Sequence, residues 1–199
     1  MKRFFDLAAS FIGLLFLLPL LGIITLIIWF RMKKPVFFCQ ERIGRHGKPF
    51  ILYKFRTMSV NHGGNTVSIK GESRITPLGA KLRKYKLDEL PELWNVLKGD
   101  MSFVGPRPDI KEYINRLTED ERKILSIRPG ITSPASLKYF HEEELVASAP
   151  DPQKYYDEVI WPDKVRLNLE YLKTRSFFVD VEIILGTIMG KRKIGMCFV

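Results

Sequence analysis

Cysteine is nearly missing from this chain: two residues, Cys39 and Cys197, in 199. Neither sits in a CxxC pair, which argues against a disulfide framework or a cysteine-built zinc site and fits a reducing compartment. Histidine is as scarce, at three residues, and His62 has no partner His or carboxylate at ligand spacing. No P-loop, GxGxxG or HExxH stretch occurs, and there is no internal repeat or low-complexity tract. Acids are outnumbered by bases, 22 to 32, for a net charge of +10. Such an excess suits an anionic partner: nucleic acid, a phosphorylated substrate or an anionic membrane surface. A hydrophobic share of 46% and an aromatic share of 12% exclude disorder. The length suffices for one domain with a real core.

What the chain does have is one long apolar run. Leu7 to Phe30 carries no charge and exceeds the roughly 20 residues that span a bilayer. A signal peptide's apolar core is shorter and ends in a small-residue cleavage site, which is missing here. Lys2 and Arg3 precede the run, and Arg31, Lys33 and Lys34 follow it. Basic flanks prefer the cytoplasmic side, so both ends ask to stay there. Pro19, near the middle, removes a helix hydrogen bond and favours a kink. A kinked helix that enters the membrane and returns to the same face satisfies both facts. An ordinary tilted span, which tolerates proline, is the alternative. The run divides the chain into an anchoring segment, 1–34, and a second unit, 35–199. With this anchor and no aromatic-basic RNA motif, nucleic acid is set aside as a partner and phospholipid is kept.

Beyond the anchor, PVFFCQERIGRHGKPFILYKF (35–55) places apolar runs on either side of a polar turn, which predicts a β-hairpin. Lys54 and Arg56 close it, as phosphate contacts or as a solvated strand end. Asn61 to Arg74 reads as a glycine-rich loop. Pro77 to Leu87 is a basic helical segment with Lys81, Arg83, Lys84 and Lys86, suited to anionic headgroups or to plain solvent. Leu87, Leu90, Leu93, Trp94 and Leu97 follow helical spacing, Pro91 belongs in the first turn, and Gly99 ends the helix. MSFVGPRP and IRPGIT read as stiff basic turns. A charged helix is expected over 113–125, a short helix with loops over 141–163, and helices over 164–173 and 177–189. The last of these is apolar enough to touch lipid, and the tail can lie at the membrane surface. These apolar faces serve lipid or a second copy equally well, so a homodimer stays open.

In KLDELPELWNVLKGDMSFVGPRP (86–108) a basic protein sets two carboxylates side by side, Asp88 and Glu89. An Asp at a helix N-terminus is stabilised as an anion, and an ionised carboxylate can be a nucleophile. The same helix end attracts phosphate. Glu89, about 100° round the helix, can hold Mg²⁺, which takes one or two carboxylates and completes its shell with phosphate and water. Arg107, between two prolines, can clamp phosphate oxygens, with Arg83, Lys54, Arg56 and Arg128 as further candidates. This constellation suggests phosphoryl transfer at a membrane interface. A capping Asp beside a first-turn Glu is the bland alternative. A non-catalytic anchored binding module would explain the charge and the anchor, but would leave LDEL and GPRP without a reason.

These residues carry a resemblance. SRITPLGAKLRKYKLDELPELWNVLKGDMSFVGPRP resembles the core of the bacterial sugar transferases, the monotopic phosphoglycosyl transferases, in the small form that has only the catalytic unit. KRFFDLAAS before the apolar run, PVFFCQERIGRHGKPFILYKFRTMS and IRPGIT extend it over roughly residues 1 to 132. The resemblance implies transfer of a phosphosugar from a UDP-sugar to a polyprenol phosphate such as undecaprenyl phosphate, with release of UMP. It also implies Mg²⁺ and a covalent phosphosugar–aspartate intermediate. By position, Asp88 would be the nucleophile and Glu89 the metal ligand, and Arg83, Arg107 and Lys54 fall on matching positions. The family's first helix is a re-entrant hairpin broken at a proline, a role that falls on Pro19. The implied fold is α+β: a re-entrant helix, interfacial helices and a small β-hairpin around a site on the cytoplasmic face of the bacterial inner membrane. Three departures stand out. RPGITSPASLKY replaces RPGITGWAQV, Asn168 replaces an Asp in LNLEYL, and Leu18-Pro19 replaces Ser-Pro. The first two bear on substrate identity more than on reaction type, and the acidic 133–163 segment suits an insertion specific to a subgroup.

Overall fold

A computed structural model describes residues 2–60 and 74–190. The loop expected over 61–74, apart from Arg74, lies outside the described residues together with His62. So does the tail from 191 on, with Cys197.

The apolar run forms one helix, α1 (Lys2–Met32), which stays helical through Pro19. Its buried residues are Asp6, Ser10, Ile24 and Ile28, whereas Phe4, Phe11, Phe16, Leu18 and Phe30 are exposed. It is the one helix among the described residues that is long and apolar enough to cross a membrane, and only 11% of its most apolar window is buried. A core helix would hide most of that surface. Here it is left for a solvent less polar than water.

The hairpin follows as the alternation requires. β1 (Phe37–Ile43) pairs antiparallel with β2 (Pro49–Phe55), Phe37 opposite Phe55 and Ile43 opposite Pro49. The turn closes through Gly44 N–H donating to Lys48 C=O at 2.8 Å. Successive side chains take opposite faces, so Lys54 shares a face with Leu52 and Phe50. The basic segment is α2 (Pro77–Lys84), capped by the Thr76 hydroxyl accepting from Gly79 N–H at 2.9 Å. α3 (Glu92–Lys98) ends at Gly99, whose φ of 101° suits glycine. Beyond it lie β3 (Ser102–Val104), α4 (Lys111–Arg116), β4 (Gly130–Thr132), α5 (Pro134–Lys138), α6 (Glu142–Ala147), α7 (Pro152–Tyr155), α8 (Trp161–Thr174) and α9 (Phe177–Ile188).

Two expectations change. The helix expected over 113–125 is broken: α4 stops at Leu117, which is extended, and the chain restarts as 3-10 turns over Glu121–Ser126. The cause is a capping box. Thr118 N–H donates to the Glu121 carboxylate at 2.8 Å, and Glu121 N–H donates back to the Thr118 hydroxyl at 3.3 Å. The two stiff basic turns are one unit rather than two, because β3 and β4 pair in parallel, Ser102 beside Gly130 and Val104 beside Thr132.

α3 is locked to the hairpin by a fully buried amide. Asn95 Nδ2 donates to Ile51 C=O at 2.6 Å, and its Oδ1 accepts from Tyr53 N–H at 3.1 Å. The side chain thus satisfies the open edge of β2 as a further strand would. Asn95→Ala leaves the Tyr53 N–H and the Ile51 C=O without this partner at a part-buried edge and is expected to cost about 1–2 kcal/mol. Thermal unfolding in detergent should show a clear drop in midpoint; an unchanged midpoint would mean that water satisfies this edge.

Candidate active site

The paired acids sit in the turn between α2 and α3. Lys86 takes the left-handed conformation (φ 55°), and Leu87–Glu89 form a single 3-10 turn. The expected N-cap at Asp88 is corrected: Pro91 holds the N-cap position of α3, and Asp88 lies about a turn earlier. Proline has no N–H to donate, and the first bonds after it, Leu93 N–H to Leu90 C=O at 3.2 Å and Trp94 N–H to Pro91 C=O at 3.0 Å, are of the tight 3-10 type.

Three cations converge on the dyad from three elements. Lys54, on β2, bonds Glu89 Oε1 at 2.7 Å and pairs with Glu92 Oε1 at 3.1 Å. Arg107, in the loop after β3, donates to the same Glu89 oxygen at 3.2 Å. Arg83, on α2, bears electrostatically on Asp88 together with Lys54 and Lys86. The GPRP loop that carries Arg107 is braced from behind, where Arg42 Nη1 donates to Pro108 C=O at 3.2 Å.

Burial opposes ionisation of Glu89, but Lys54 and Arg107 override it and hold the carboxyl well below the usual range. Asp88 is pushed up, first by burial and then by Glu89, against the pull of Lys54, Arg83 and Lys86. Its Oδ1 is buried without a hydrogen-bond partner. One carboxylate is thus fixed as an anion by ion pairs, while its neighbour keeps an oxygen free.

Other candidates sit elsewhere. The Arg56 guanidinium donates to the carbonyls of Met32, Lys33 and Lys34, closing the end of α1. Arg128 Nε donates to Gly99 C=O at 2.7 Å, at the end of α3 opposite the dyad, next to Arg3. Pro19 lies within α1. Asn168 is buried on α8 with Oδ1 unpartnered. Sequence reasoning missed Glu92, although its place three residues after Glu89 puts both on one helical face. It also missed the acids of α6: Glu143 pairs with Arg83 at 3.4 Å, and Glu142 pairs with Lys164.

The donor set suits a divalent cation of the Mg²⁺ type. Both cations use the same Glu89 oxygen, leaving the second one, and Asp88 Oδ1 is orphaned beside it. Among the described residues no group of three or more His, Cys, Asp or Glu converges. Mg²⁺ takes one or two carboxylates and brings phosphate and water for the rest. The arrangement as a whole can bind a diphosphate and present a carboxylate to phosphorus.

Glu92 gives the site a pH signature. Burial, opposed by Lys54 and reinforced by Glu89, pushes its carboxyl from the ordinary 4.5 to about 7. The folded value is the higher one, so its contribution is complete below pH 4.5 and is lost as pH rises through 7. Glu92→Gln cannot ionise. Relative to the native protein it should gain about 2 kcal/mol between pH 5 and pH 8. Thermal midpoints of both proteins at the two pH values check this, and a difference independent of pH would refute it.

The chain is similar to known proteins. A family model described as bacterial sugar transferase matches residues 1–192. The "uncharacterized sugar transferase EpsL" of Bacillus subtilis (strain 168) is 37% identical over 192 residues, 94% of this chain and 85% of its own length. A "UDP-N-acetylgalactosamine-undecaprenyl-phosphate N-acetylgalactosaminephosphotransferase" of Aeromonas hydrophila is 33% identical over 195 residues, 94% of this chain and 42% of its own length. A "UDP-glucose:undecaprenyl-phosphate glucose-1-phosphate transferase" of Escherichia coli (strain K12) is 33% identical over 193 residues, again 94% of this chain but 39% of its own length. The chain spans most of EpsL and about two fifths of the two longer relatives.

Proposed function

The chain belongs to the bacterial sugar transferase family, and on that footing we propose that it transfers a phosphosugar from a UDP-sugar to a polyprenol phosphate such as undecaprenyl phosphate. The products are the polyprenyl diphosphate sugar and UMP, in the first membrane step of glycan assembly. The observation that carries the reading is the cluster itself. Asp88 lies buried with a free oxygen, beside Glu89 held by Lys54 and Arg107.

In the first half-reaction Asp88 Oδ1 attacks the phosphorus that bears the sugar. The bond between the two phosphates breaks, and UMP leaves with the electron pair. In the second, an oxygen of the polyprenol phosphate attacks the same phosphorus and the carboxylate of Asp88 departs. Arg83, Arg107 and Lys54 bind the diphosphate and hold the phosphoryl oxygens as charge shifts between them. Mg²⁺, held through Glu89, would neutralise phosphate charge so that an anionic nucleophile can approach.

The anchor supports work at one membrane face. At the start of α1, Arg3 donates to Val96 C=O at 2.6 Å and to Leu97 C=O at 2.9 Å, Asp6 accepts from Phe103 N–H at 3.3 Å, and Lys2 pairs with Asp180. At its far end Arg56 holds the last carbonyls, and Ile24 and Ile28 pack with Phe55 and Leu82. Contacts with one domain at both ends favour the re-entrant reading, and the basic flanks favour the cytoplasmic side.

The test is an assay with Mg²⁺, undecaprenyl phosphate and a panel of UDP-sugars, following UMP and UDP separately. Lipid-dependent UMP release establishes phosphosugar transfer, and the best donor names the sugar. UDP release instead would mean ordinary glycosyl transfer and would sink the proposal.

A further inference from the structure

α6 lies far along the chain from the dyad motif, yet its first turn reaches Arg83, one of the cations around the dyad. It is anchored by fully buried Val146, by the Glu142–Lys164 ion pair, and by Glu142 N–H donating to Tyr139 C=O at 3.0 Å. From this fixed base, Glu143 Oε1 comes within 3.4 Å of Arg83 Nη1. The contact is an ion pair without a hydrogen bond, since Arg83 Nη1 is buried and makes none. Arg83 therefore faces an anion while a donor on its fork stays unspent. A phosphate oxygen would use it, because guanidinium and phosphate pair through parallel N–H···O bonds. The two partners are unequal in freedom. The side chain of Glu143 is 40% exposed and that of Arg83 is 19% exposed, so the carboxylate can turn into water while the guanidinium stays.

We infer that Glu143 is a displaceable occupant of the phosphate site: its carboxylate holds Arg83 toward the dyad until a phosphate group of the donor takes its place. This rests on the phosphoglycosyl transferase reading for the identity of the incoming diphosphate, but not for the exchange itself. The exchange makes the protein's own carboxylate a competitor of its substrate. Removing the charge therefore tightens anion binding. The pair is partly exposed and worth little in water, so the expected gain is about threefold to fivefold.

The experiment is calorimetric titration of the full chain in detergent with pyrophosphate, without added divalent metal. It compares native protein, Glu143→Gln, Glu144→Gln, and Glu143→Gln in an Arg83→Gln background. Glu144, one residue on and also exposed, controls for net charge. Tighter binding by Glu143→Gln, a smaller effect from Glu144→Gln and no gain in the Arg83→Gln background are expected. In the UMP assay, KM for the donor should fall by the same factor with kcat unchanged. Equal gains from both glutamates, a gain that survives loss of Arg83, or weaker or unchanged binding by Glu143→Gln would each overturn the inference. So would native protein that takes up no pyrophosphate at millimolar concentration. If the pyrophosphate results hold but no donor yields UMP, the transferase reading fails and the exchange at Arg83 stands.

Discussion

Asp88→Asn should abolish UMP release, a loss on the order of 10³-fold or more as expected for removal of a nucleophile, while the protein remains folded. The second half of that statement is the informative one. Asp88 is 7% exposed, its Oδ1 has no hydrogen-bond partner, and Glu89 stands beside it. Burial and that neighbour both penalise its charge, so a neutral side chain of the same shape removes a cost and leaves the thermal midpoint unchanged or higher. Glu89→Gln should behave differently. It takes from Arg107 its partner and leaves Lys54 with Glu92; Arg107 is exposed, so the cost should be about 1 kcal/mol. That variant should be inactive and less stable. UMP assays and melting curves on the two variants separate a group kept for chemistry from one that also holds the site together. Intact-mass analysis of native protein given donor without lipid acceptor should show one phosphosugar added, and none on Asp88→Asn. Turnover by Asp88→Asn would remove the nucleophile assignment.

Much of this site was legible because its parts are local. The dyad, the stiff GPRP loop and Lys54 at the end of an alternating strand each lie in a short motif, and the fold brings Lys54 and Arg107 onto one Glu89 oxygen. The hairpin, α2, α8 and α9 followed from alternation, periodicity and turn residues in the same way. Arg56 and Arg128 show the limit. A basic residue near a motif looks alike whether it faces a phosphate or a helix end, and here both donate to backbone carbonyls. The parallel pairing of β3 and β4 was hidden because two three-residue strands leave almost no pattern of their own. The pairing of Arg83 with Glu143 joins residues 60 positions apart in sequence, and no local rule anticipates it. The break at Leu117 was within reach, since the capping box Thr118–Glu121 is a sequence signature that the apolar periodicity obscured.

Gly130→Ala is expected to damage the fold severely. A Cβ at this position would stand 2.1 Å from Gly105 N, 2.6 Å from Thr132 O and 2.7 Å from Gly105 O, all of them backbone atoms. None is the end of a flexible side chain, so the strands themselves must part. The parting would break Gly130 N–H to Pro106 C=O at 2.9 Å, Gly105 N–H to Thr132 C=O at 3.0 Å and Ser102 N–H to Pro129 C=O at 2.8 Å. Backbone overlap of this kind belongs with the largest single-residue effects, about 4 kcal/mol or more. The damage also has a direction. Gly105 and Pro106 open the loop that carries Arg107, so displacing them draws the guanidinium away from Glu89 and disarms the site even in molecules that remain folded. Gly47→Ala is the control: its φ of 74° strains an alanine, but nothing lies within 4 Å, so it should cost about 1 kcal/mol and leave UMP release near native. If Gly130→Ala melts within a few degrees of Gly47→Ala, the parallel pair is not what holds the arginine loop in place.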